Sequence, residues 1–184
     1  MRTRHLTRAS LNSDARGPGA VRIRAIRQTD ETELQRFYAG LSPESRRTRF
    51  FAISPGLSEA QAHAFCTTDH DHREGFVALA RAGTDRDERI VGHLCLEPDG
   101  AGSAEVAIAV AEAFQHHGIG RRLLMAGVAW ARREHMTRLT AAMLAGNAPI
   151  HRLLAGLGLP TRAAYAGAGV SEVSIDLAPQ SVAA

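Results

Sequence analysis

Residues 104–124 read AEVAIAVAEAFQHHGIGRRLL, and this stretch decides the fold. An apolar, strand-like run at 106–110 is followed by a short link, two glycines (Gly118 and Gly120) and a helical pattern. Glycines at the opening of a helix let the backbone approach a ligand closely. The unpaired N–H groups there, with the positive end of the helix dipole, favour a phosphate. The stretch therefore predicts a strand, a glycine turn and a helix N-terminus that bind a pyrophosphate-containing cofactor.

The spacing of these glycines excludes two common phosphate-binding loops. A P-loop requires G-x-x-x-x-G-K-S/T, and the chain contains no lysine. A dinucleotide-binding fingerprint requires G-x-G-x-x-G, but Leu123 stands where the third glycine is needed. What remains is Q-x-x-G-x-G between a strand and a helix. The alternative interpretation is a turn that merely ends the strand.

The remaining pattern resembles the acetyl-CoA-binding motif of the GNAT N-acetyltransferases, R/Q-x-x-G-x-G/A. Gln115, Gly118 and Gly120 match it, whereas His117 occupies a position where arginine is common. This departure weakens charge pairing with a pyrophosphate, but backbone N–H groups are expected to do most of the holding.

The resemblance extends over most of residues 21–177. Residues 21–51 look like the family's first strand and its two following helices, and residues 141–159 look like its fifth strand and the helix carrying the family's asparagine, here Asn147. The combination is similar to the catalytic domain of actinobacterial protein-lysine acetyltransferases. In those proteins a cyclic-nucleotide-binding domain comes first, and we expect none here. The resemblance implies an α/β (α+β) GNAT fold, a single mixed, mostly antiparallel sheet of six to seven strands flanked by about four helices.

Hydrophobic periodicity and turn residues place the elements along the chain. Ser42-Pro43-Glu44 is typical of a helix start, with a hydroxyl cap, a proline in the first turn and then an acid. Asp30 and Glu33 together predict a capping box at the start of another helix. Strands are expected at 21–26, 76–82, 90–96, 104–110, 138–143, 163–166 and 170–177, and further helices at 58–66, 118–134 and 149–155.

Composition is that of one globular domain of 184 residues, with 45% hydrophobic and 22% charged residues. We expect a disordered basic arm at 1–20, the domain at 21–178 and a flexible tail at 179–184. No apolar run is long enough to span a membrane, and residues 1–20 lack the apolar centre of a signal peptide. The abundance of alanine and arginine without lysine is typical of a GC-rich bacterial genome.

The net charge and the cysteine content indicate which partners and which cellular compartment to expect for the protein. The net charge is +3, but the arginines are scattered, so dedicated nucleic-acid binding is not expected. Cys66 and Cys95 are far apart and form no Cys-x-x-Cys motif, which argues against a disulfide framework or a thiolate zinc site. We therefore expect a cytoplasmic protein that holds no metal, is not bound to a membrane, and is a monomer or homodimer.

The resemblance implies acetyl-CoA as the acyl donor and indicates where it binds. The loop and helix start would hold the pyrophosphate, and the strand before them would pair its backbone with the pantetheine arm. Asn147 would hydrogen-bond the pantetheine from the later helix, although a plain helix cap is the alternative role for this residue. The residues so implied are Ile108, Ala109, Val110, Gln115, His116, His117, Gly118, Ile119, Gly120, Arg121, Arg122 and Asn147.

The same resemblance implies direct attack of an amine on the thioester in a ternary complex, with Glu105 as general base. On strand periodicity Glu105 shares a face with Ala107 and Ala109, whose small side chains leave space for a substrate, and partial burial is expected there. The alternative is that Glu105 is an exposed charged residue at the edge of the strand with no catalytic role. Cys66 and Cys95 are expected to be buried small hydrophobes rather than nucleophiles.

The sequence does not identify the residue that acts as general acid. Leu154 stands where many GNAT enzymes have a tyrosine, and Tyr165, His151 or no dedicated acid are the alternatives. Arg46, Arg47 and Arg49 form either a solvated helix face or a wall that recognises an acidic substrate or the CoA phosphates. Residues 69–72, Asp-His-Asp-His, are interpreted as a solvated loop rather than a metal site, because no further ligands occur at suitable spacing.

The sequence thus predicts an acetyl-CoA-dependent N-acetyltransferase that acts on a primary amine, with a protein lysine as the first choice of acceptor. One alternative is a small-molecule amine acetyltransferase, and another is a non-catalytic acyl-CoA-binding sensor.

Overall fold

One seven-stranded sheet organises the chain. The computed structural model describes residues 20–52, 54–81 and 88–177, so the predicted tail and almost all of the predicted arm lie outside the described residues. The strands are β1 (Arg22–Ala25), β2 (Glu74–Arg81), β3 (Glu88–Pro98), β4 (Ser103–Val110), β5 (Arg138–Leu144), β6 (Thr161–Gly167) and β7 (Val170–Asp176). Their order across the sheet is β1-β2-β3-β4-β5-β7-β6, with β4 and β5 parallel and the other pairs antiparallel. The expected mixed, mostly antiparallel sheet is confirmed.

Five α-helices flank this sheet within the described ranges, where about four were expected. They are α1 (Glu31–Gly40), α2 (Pro43–Phe50), α3 (Glu59–Cys66), α4 (Ile119–Arg133) and α5 (Ala148–Ala155). None of them is long and apolar enough to cross a lipid bilayer. The predicted helix starts at Ser42 and Ser58 are confirmed, because each hydroxyl accepts a hydrogen bond from the backbone N–H three residues later.

Asp30 does not cap α1 with its side chain, so the predicted capping box with Glu33 is wrong. Its carboxylate instead accepts hydrogen bonds from both terminal nitrogens of Arg24, at 2.6 and 2.7 Å, and from the backbone N–H of Arg27 at 2.8 Å. A buried bidentate pair with a guanidinium is a stronger partner for a carboxylate than a helix N–H. Asp30 therefore joins β1 to the turn before α1.

The two faces of the sheet are covered differently. On one face, α4 packs against β2, β3 and β4 through Leu123, Leu124 and Val128, all of which are buried. On the other face, α1 and α3 close a second apolar cluster that includes Leu34 and Tyr38. Alternate residues of a strand point to opposite faces, so each central strand contributes to both clusters. The helices leave the ends of β4 and β5 as the place where a site can open.

The cap of α2 carries a measurable part of the stability. Changing Ser42 to Ala removes the hydroxyl that accepts from the N–H of Ser45 at 3.1 Å. We expect the free energy of unfolding to fall by about 1 kcal/mol, measured by urea denaturation. Ser42→Thr keeps the hydroxyl and should retain most of that stability, whereas equal losses in both variants would contradict a capping role.

Candidate active site

The two central strands of the sheet separate after three paired residues. Ser103–Glu105 of β4 lie beside Arg138–Thr140 of β5 in parallel register, and the pairing ends there although both strands continue. Beyond Glu105, the edge of β4 that faces β5 therefore has no strand partner. Such a divergence leaves backbone hydrogen-bonding groups available to an extended ligand. Glu105 is the last paired residue of β4, at the point where the two strands part.

A cavity of about 670 Å³ occupies this cleft. Its walls come from the end of β4, the loop into α4, the end of β5, the first turns of α5 and one side of α2. Because α2 contacts both β4 and β5, it covers the cleft from the side of the sheet on which Glu105 stands.

The N-terminus of α4 opens onto this cavity. Within the described part of the chain, the backbone N–H groups of Ile119, Gly120 and Arg121 donate to no protein acceptor, and the first helical bond back to the loop is Arg122 N–H to Gly118 O at 3.1 Å. The loop reaches this geometry through left-handed residues, His116 at φ +63° and Gly118 at φ +75°. Free N–H groups and the helix dipole together make an anion-binding site.

Glycine is required at Gly120 for a different reason, which is close packing. A Cβ atom added there would lie 3.2 Å from Cδ2 of Leu153, so the glycine allows α5 to approach the first turn of α4. An added Cβ at Gly118 meets nothing within 4 Å, because this residue borders open space. Both glycines of the predicted motif therefore shape the anion-binding turn.

Most of the predicted cofactor-binding residues meet in this cavity. Two of them, His117 and Arg122, do not line it, and Nη2 of Arg122 donates instead to the carbonyl of Val21 at 2.9 Å. Those that line the cavity are Ile108, Ala109, Val110, Gln115, His116, Gly118, Ile119, Gly120, Arg121 and Asn147.

Two of these lining residues also hold the site in shape. The amide of Gln115 donates to the carbonyl of Val110 at 3.0 Å and so ties the loop back to the end of β4. The side chain of Asn147 accepts from the N–H of Ile150 at 3.3 Å, which is the helix-cap role named as its alternative. A contact between Asn147 and a cofactor stays a prediction.

The sequence analysis missed the part of the cavity that comes from the packing of helices. The polar side of α2 lines one wall, and α5 contributes a cation at Arg152 and an apolar side chain at Leu153. No local motif marks these positions, because they depend on where the helices dock. The missed lining residues are Glu44, Ser45, Thr48, Phe114, Leu144, Ala145, Gly146, Pro149, Ile150, Arg152 and Leu153.

The three arginines of α2 have different environments, so neither single interpretation of them is right. Arg47 is exposed and lines the cavity, where it also binds Glu44. Arg46 donates to backbone carbonyls before the helix. Arg49 points to the sheet, with Nη2 3.2 Å from Sγ of Cys95 and its guanidinium 5.8 Å from the centre of the Phe65 ring.

Glu105 lies on the predicted face of β4 but is not partly buried as expected. Its partners in β3 and β5 are Glu97 and Thr140, and its side chain is exposed. Glu105 stands where the two strands part, outside the apolar cluster under α1 and α3, and it does not line the cavity. A carboxylate there is open to an incoming substrate. A role as general base stays a prediction.

The candidates for a general acid do not reach the cavity. Tyr165 is 70% exposed on β6, and its hydroxyl accepts from the N–H of Gly169 at 3.2 Å. His151 is exposed and does not line the cavity, and Leu154 is buried in the core.

The two cysteines are free and buried, as expected for small hydrophobes. Residues 69–72 form an exposed loop in which Asp69 accepts from the backbone N–H groups of Asp71, His72 and Arg73. Across residues 20–52, 54–81 and 88–177, no three His, Cys, Asp or Glu side chains gather as a metal site.

Comparison with known proteins agrees with this geometry. The model of the acetyltransferase (GNAT) family matches residues 33–159, which is well over half of the chain. The chain belongs to the GNAT acetyltransferase family. Among solved structures, this GNAT protein is similar to the GNAT domain of PAT from S. lividans, with 29% identity and a TM-score of 0.75 over 86% of this chain and 91% of that one.

Two further structures share the GNAT fold at lower identity. A GCN5-related N-acetyltransferase from Kribbella flavida is 22% identical, with a TM-score of 0.65 over 85% of this chain and 96% of that one. The protein yncA from Salmonella typhimurium, solved with its cofactor acetyl-CoA, is 19% identical, with a TM-score of 0.67 over 89% and 97% of the two chains.

Proposed function

We propose that this GNAT protein transfers the acetyl group of acetyl-CoA to a primary amine by direct attack in a ternary complex, and that the amine is a protein lysine. The observation that carries the proposal is the row of free N–H groups at the start of α4, facing a cavity that is lined by the end of β4, the strand that carries Glu105. Acetyl-CoA has a pyrophosphate, an extended amide-containing arm and a reactive thioester in that order. The anion site, the unpaired edge of β4 and the carboxylate follow each other in the same order.

The residues present fit that donor. The N–H groups of Ile119, Gly120 and Arg121 are placed for the pyrophosphate, and Arg47 and Arg152 add positive charge to the cavity wall. The free edge of β4 at Ile108 and Ala109 is placed for the amides of the arm. When bound, acetyl-CoA supplies an acyl group activated by a thiol leaving group.

Glu105 would remove a proton from the acceptor, because a lysine ammonium with a pKa near 10.4 is not nucleophilic at neutral pH. Overall, the C–N bond forms and the C–S bond breaks. An ammonium and a thioester give an amide, a thiol and one released proton. A backbone N–H from β4 is proposed to stabilise the oxyanion that forms on the carbonyl.

The choice of a protein lysine is supported by the surface around Glu105. Across β5, β7 and β6, the same face of the sheet presents exposed Ala142, Glu172 and Ala164 in one register row. This open face offers more room than a small amine needs. The resemblance of the sequence to protein-lysine acetyltransferases supports a lysine acceptor, and the chain is 29% identical to the GNAT domain of S. lividans PAT. A cytoplasmic location is part of the proposal and is supported by the free, buried thiols of Cys66 and Cys95.

The test combines binding and turnover. Calorimetry should detect acetyl-CoA binding, and release of the CoA thiol should depend on added acceptor. Lysine-containing peptides and proteins are compared with polyamines and free amino acids as acceptors. If only small amines are acetylated, the acceptor is a small molecule and not a protein lysine. Acetyl-CoA binding with no turnover on any amine would favour a sensor.

The anion site itself can be tested at Gly120. A valine there places a branched side chain against Leu153 and narrows the first turn of α4. We expect affinity for acetyl-CoA to fall by at least about tenfold, or about 1.4 kcal/mol, measured by calorimetry. Gly40→Val, at the end of α1 and away from the cavity, is the matched control. Unchanged affinity in the Gly120 variant would place the pyrophosphate elsewhere.

A further inference from the structure

A row of polar side chains crosses the sheet at the level of Glu105. The register places Glu97 of β3 opposite Glu105, and Thr140 of β5 beside it on the other side. Paired residues of neighbouring strands point to the same face, at a strand spacing of about 4.8 Å. Glu97, Glu105 and Thr140 are therefore consecutive positions of one row on the face that α2 covers in part.

The two carboxylates of this row differ in their partners. Like charges directly opposite each other on paired strands are destabilising. Arg73, which immediately precedes β2, forms an ion pair with Glu97 and offsets this repulsion. Glu105 makes no hydrogen bond or ion pair with any residue that the structure describes. Glu97 is therefore paired with a cation, whereas Glu105 is available.

The other charged or titratable groups near the row do not occupy Glu105. Arg49 reaches the row from α2 and its charge interacts with that of Glu105, but its Nη2 hydrogen-bonds Sγ of Cys95 rather than the carboxylate. Cys95 stands on β3 two residues before Glu97 and is buried. Arg73 lies on the β2 side, and Arg138 of β5 is exposed on the same face, two residues before Thr140. The space next to Glu105 is bordered by the small side chain of Ala107.

We propose that Glu97, Glu105 and Thr140 together bind the acceptor as its ammonium ion, and that Glu97 is the residue that selects a charged amine. An ammonium carries three N–H donors, and the row offers two carboxylates and one hydroxyl as acceptors. Glu105 takes the proton, and Glu97, paired with Arg73, holds the nitrogen in place. The product amide is neutral and keeps a single N–H, so it loses most of these bonds and leaves.

This inference rests on the proposed function for its place in the reaction, but ammonium recognition can be measured without turnover. The probes are Nα-acetyl-lysine methylamide and its uncharged analogue Nα-acetyl-norleucine methylamide, titrated by NMR with and without CoA. The wild type should prefer the lysine probe. Glu97→Gln should lower affinity for that probe by about tenfold and leave the norleucine probe unchanged. Thr140→Val should lower it by about threefold.

Glu59→Gln is the matched control, since it removes the same charge from an exposed position at the start of α3, away from the cavity and from the row. It should keep the wild-type preference. Arg73→Gln is the second variant, because it frees Glu97 without removing its charge, and it should weaken the preference less than Glu97→Gln does. Wild-type protein without a lysine preference, or equal effects at Glu97 and Glu59, would overturn the inference.

Acetyl transfer measured on the same variants separates the two proposals. A lysine preference that depends on Glu97, with no transfer by the wild type, would leave the ammonium site standing and reject the proposed function. Acetyl transfer by the wild type, with an acceptor KM that is unchanged in Glu97→Gln, would support the proposed function and reject the ammonium site.

Discussion

Replacing Glu105 with glutamine is expected to lower kcat for acetyl transfer by about 10²–10⁴-fold, while the affinity for acetyl-CoA stays near that of the wild type. Glutamine has the same shape but cannot accept the proton of an ammonium. Glu105 stands at the last paired position of β4 and β5 and does not line the cavity that holds the anion site, so donor binding should not depend on it.

The pH dependence gives this prediction a second readout. The deficit of Glu105→Gln should shrink as pH rises toward the pKa of the amine, near 10.4 for lysine, because the acceptor then arrives deprotonated. Initial rates at saturating acetyl-CoA measure it, and Glu59→Gln controls for the loss of one negative charge. A variant as active as the wild type at neutral pH would show that another group is the base.

The stability of the protein should fall steeply in acid because of His93. This side chain is fully buried on β3, with Nδ1 2.9 Å from the hydroxyl of Tyr38 and with Nε2 unpaired within the described part of the chain. Burial, and after it the charge of Arg49, lowers the pKa of His93 from 6.5 to about 3. The folded chain therefore keeps this imidazole neutral at a pH where the unfolded chain protonates it.

Proton linkage gives the direction in which the free energy of unfolding changes with pH. Between pH 6.5 and about 3 the unfolded state binds one more proton at this site, so the free energy of unfolding decreases as pH falls. The slope is about 1.4 kcal/mol per pH unit from this group alone, and the stability is fully present above pH 6.5. Urea denaturation at pH 7, 6, 5 and 4 measures it.

A variant that cannot titrate isolates the contribution of His93. His93→Gln keeps a polar group near Tyr38 and should lose less stability between pH 7 and pH 5 than the wild type does. His151→Gln changes an exposed histidine and should follow the wild-type curve. If all three proteins lost stability in parallel, His93 would not be the group that titrates.

The anion-binding loop could be predicted from the sequence because its parts are neighbours in the chain. Gln115, Gly118 and Gly120 form one turn, and the backbone of that turn makes the site. The remaining walls could not be predicted in the same way. Arg152 and Leu153 reach the cavity only because α5 packs beside the start of α4, and Thr48 reaches it only because α2 lies over β4 and β5.

The burial of Arg49 and of Glu105 could not be predicted from the sequence, and the two predictions failed in opposite directions. A run of arginines on a short helix is compatible with a solvated face, but the docking of α2 turns Arg49 onto Cys95. A glutamate in an apolar strand was expected to be partly buried, but Glu105 is exposed on the face of the sheet, outside the apolar cluster under α1 and α3. Burial depends on what covers a residue, which its own neighbours in the chain do not encode.

By itself the sequence determined the strands, the helix starts at Ser42 and Ser58, the phosphate-type turn and the family. Each depends on periodicity or hydrogen bonds between residues a few positions apart. Only the tertiary structure decided that β4 and β5 part after Glu105 and that Glu97 stands opposite it. Such pairings join distant parts of the chain, and they are set when all layers of the sheet and helices pack at once.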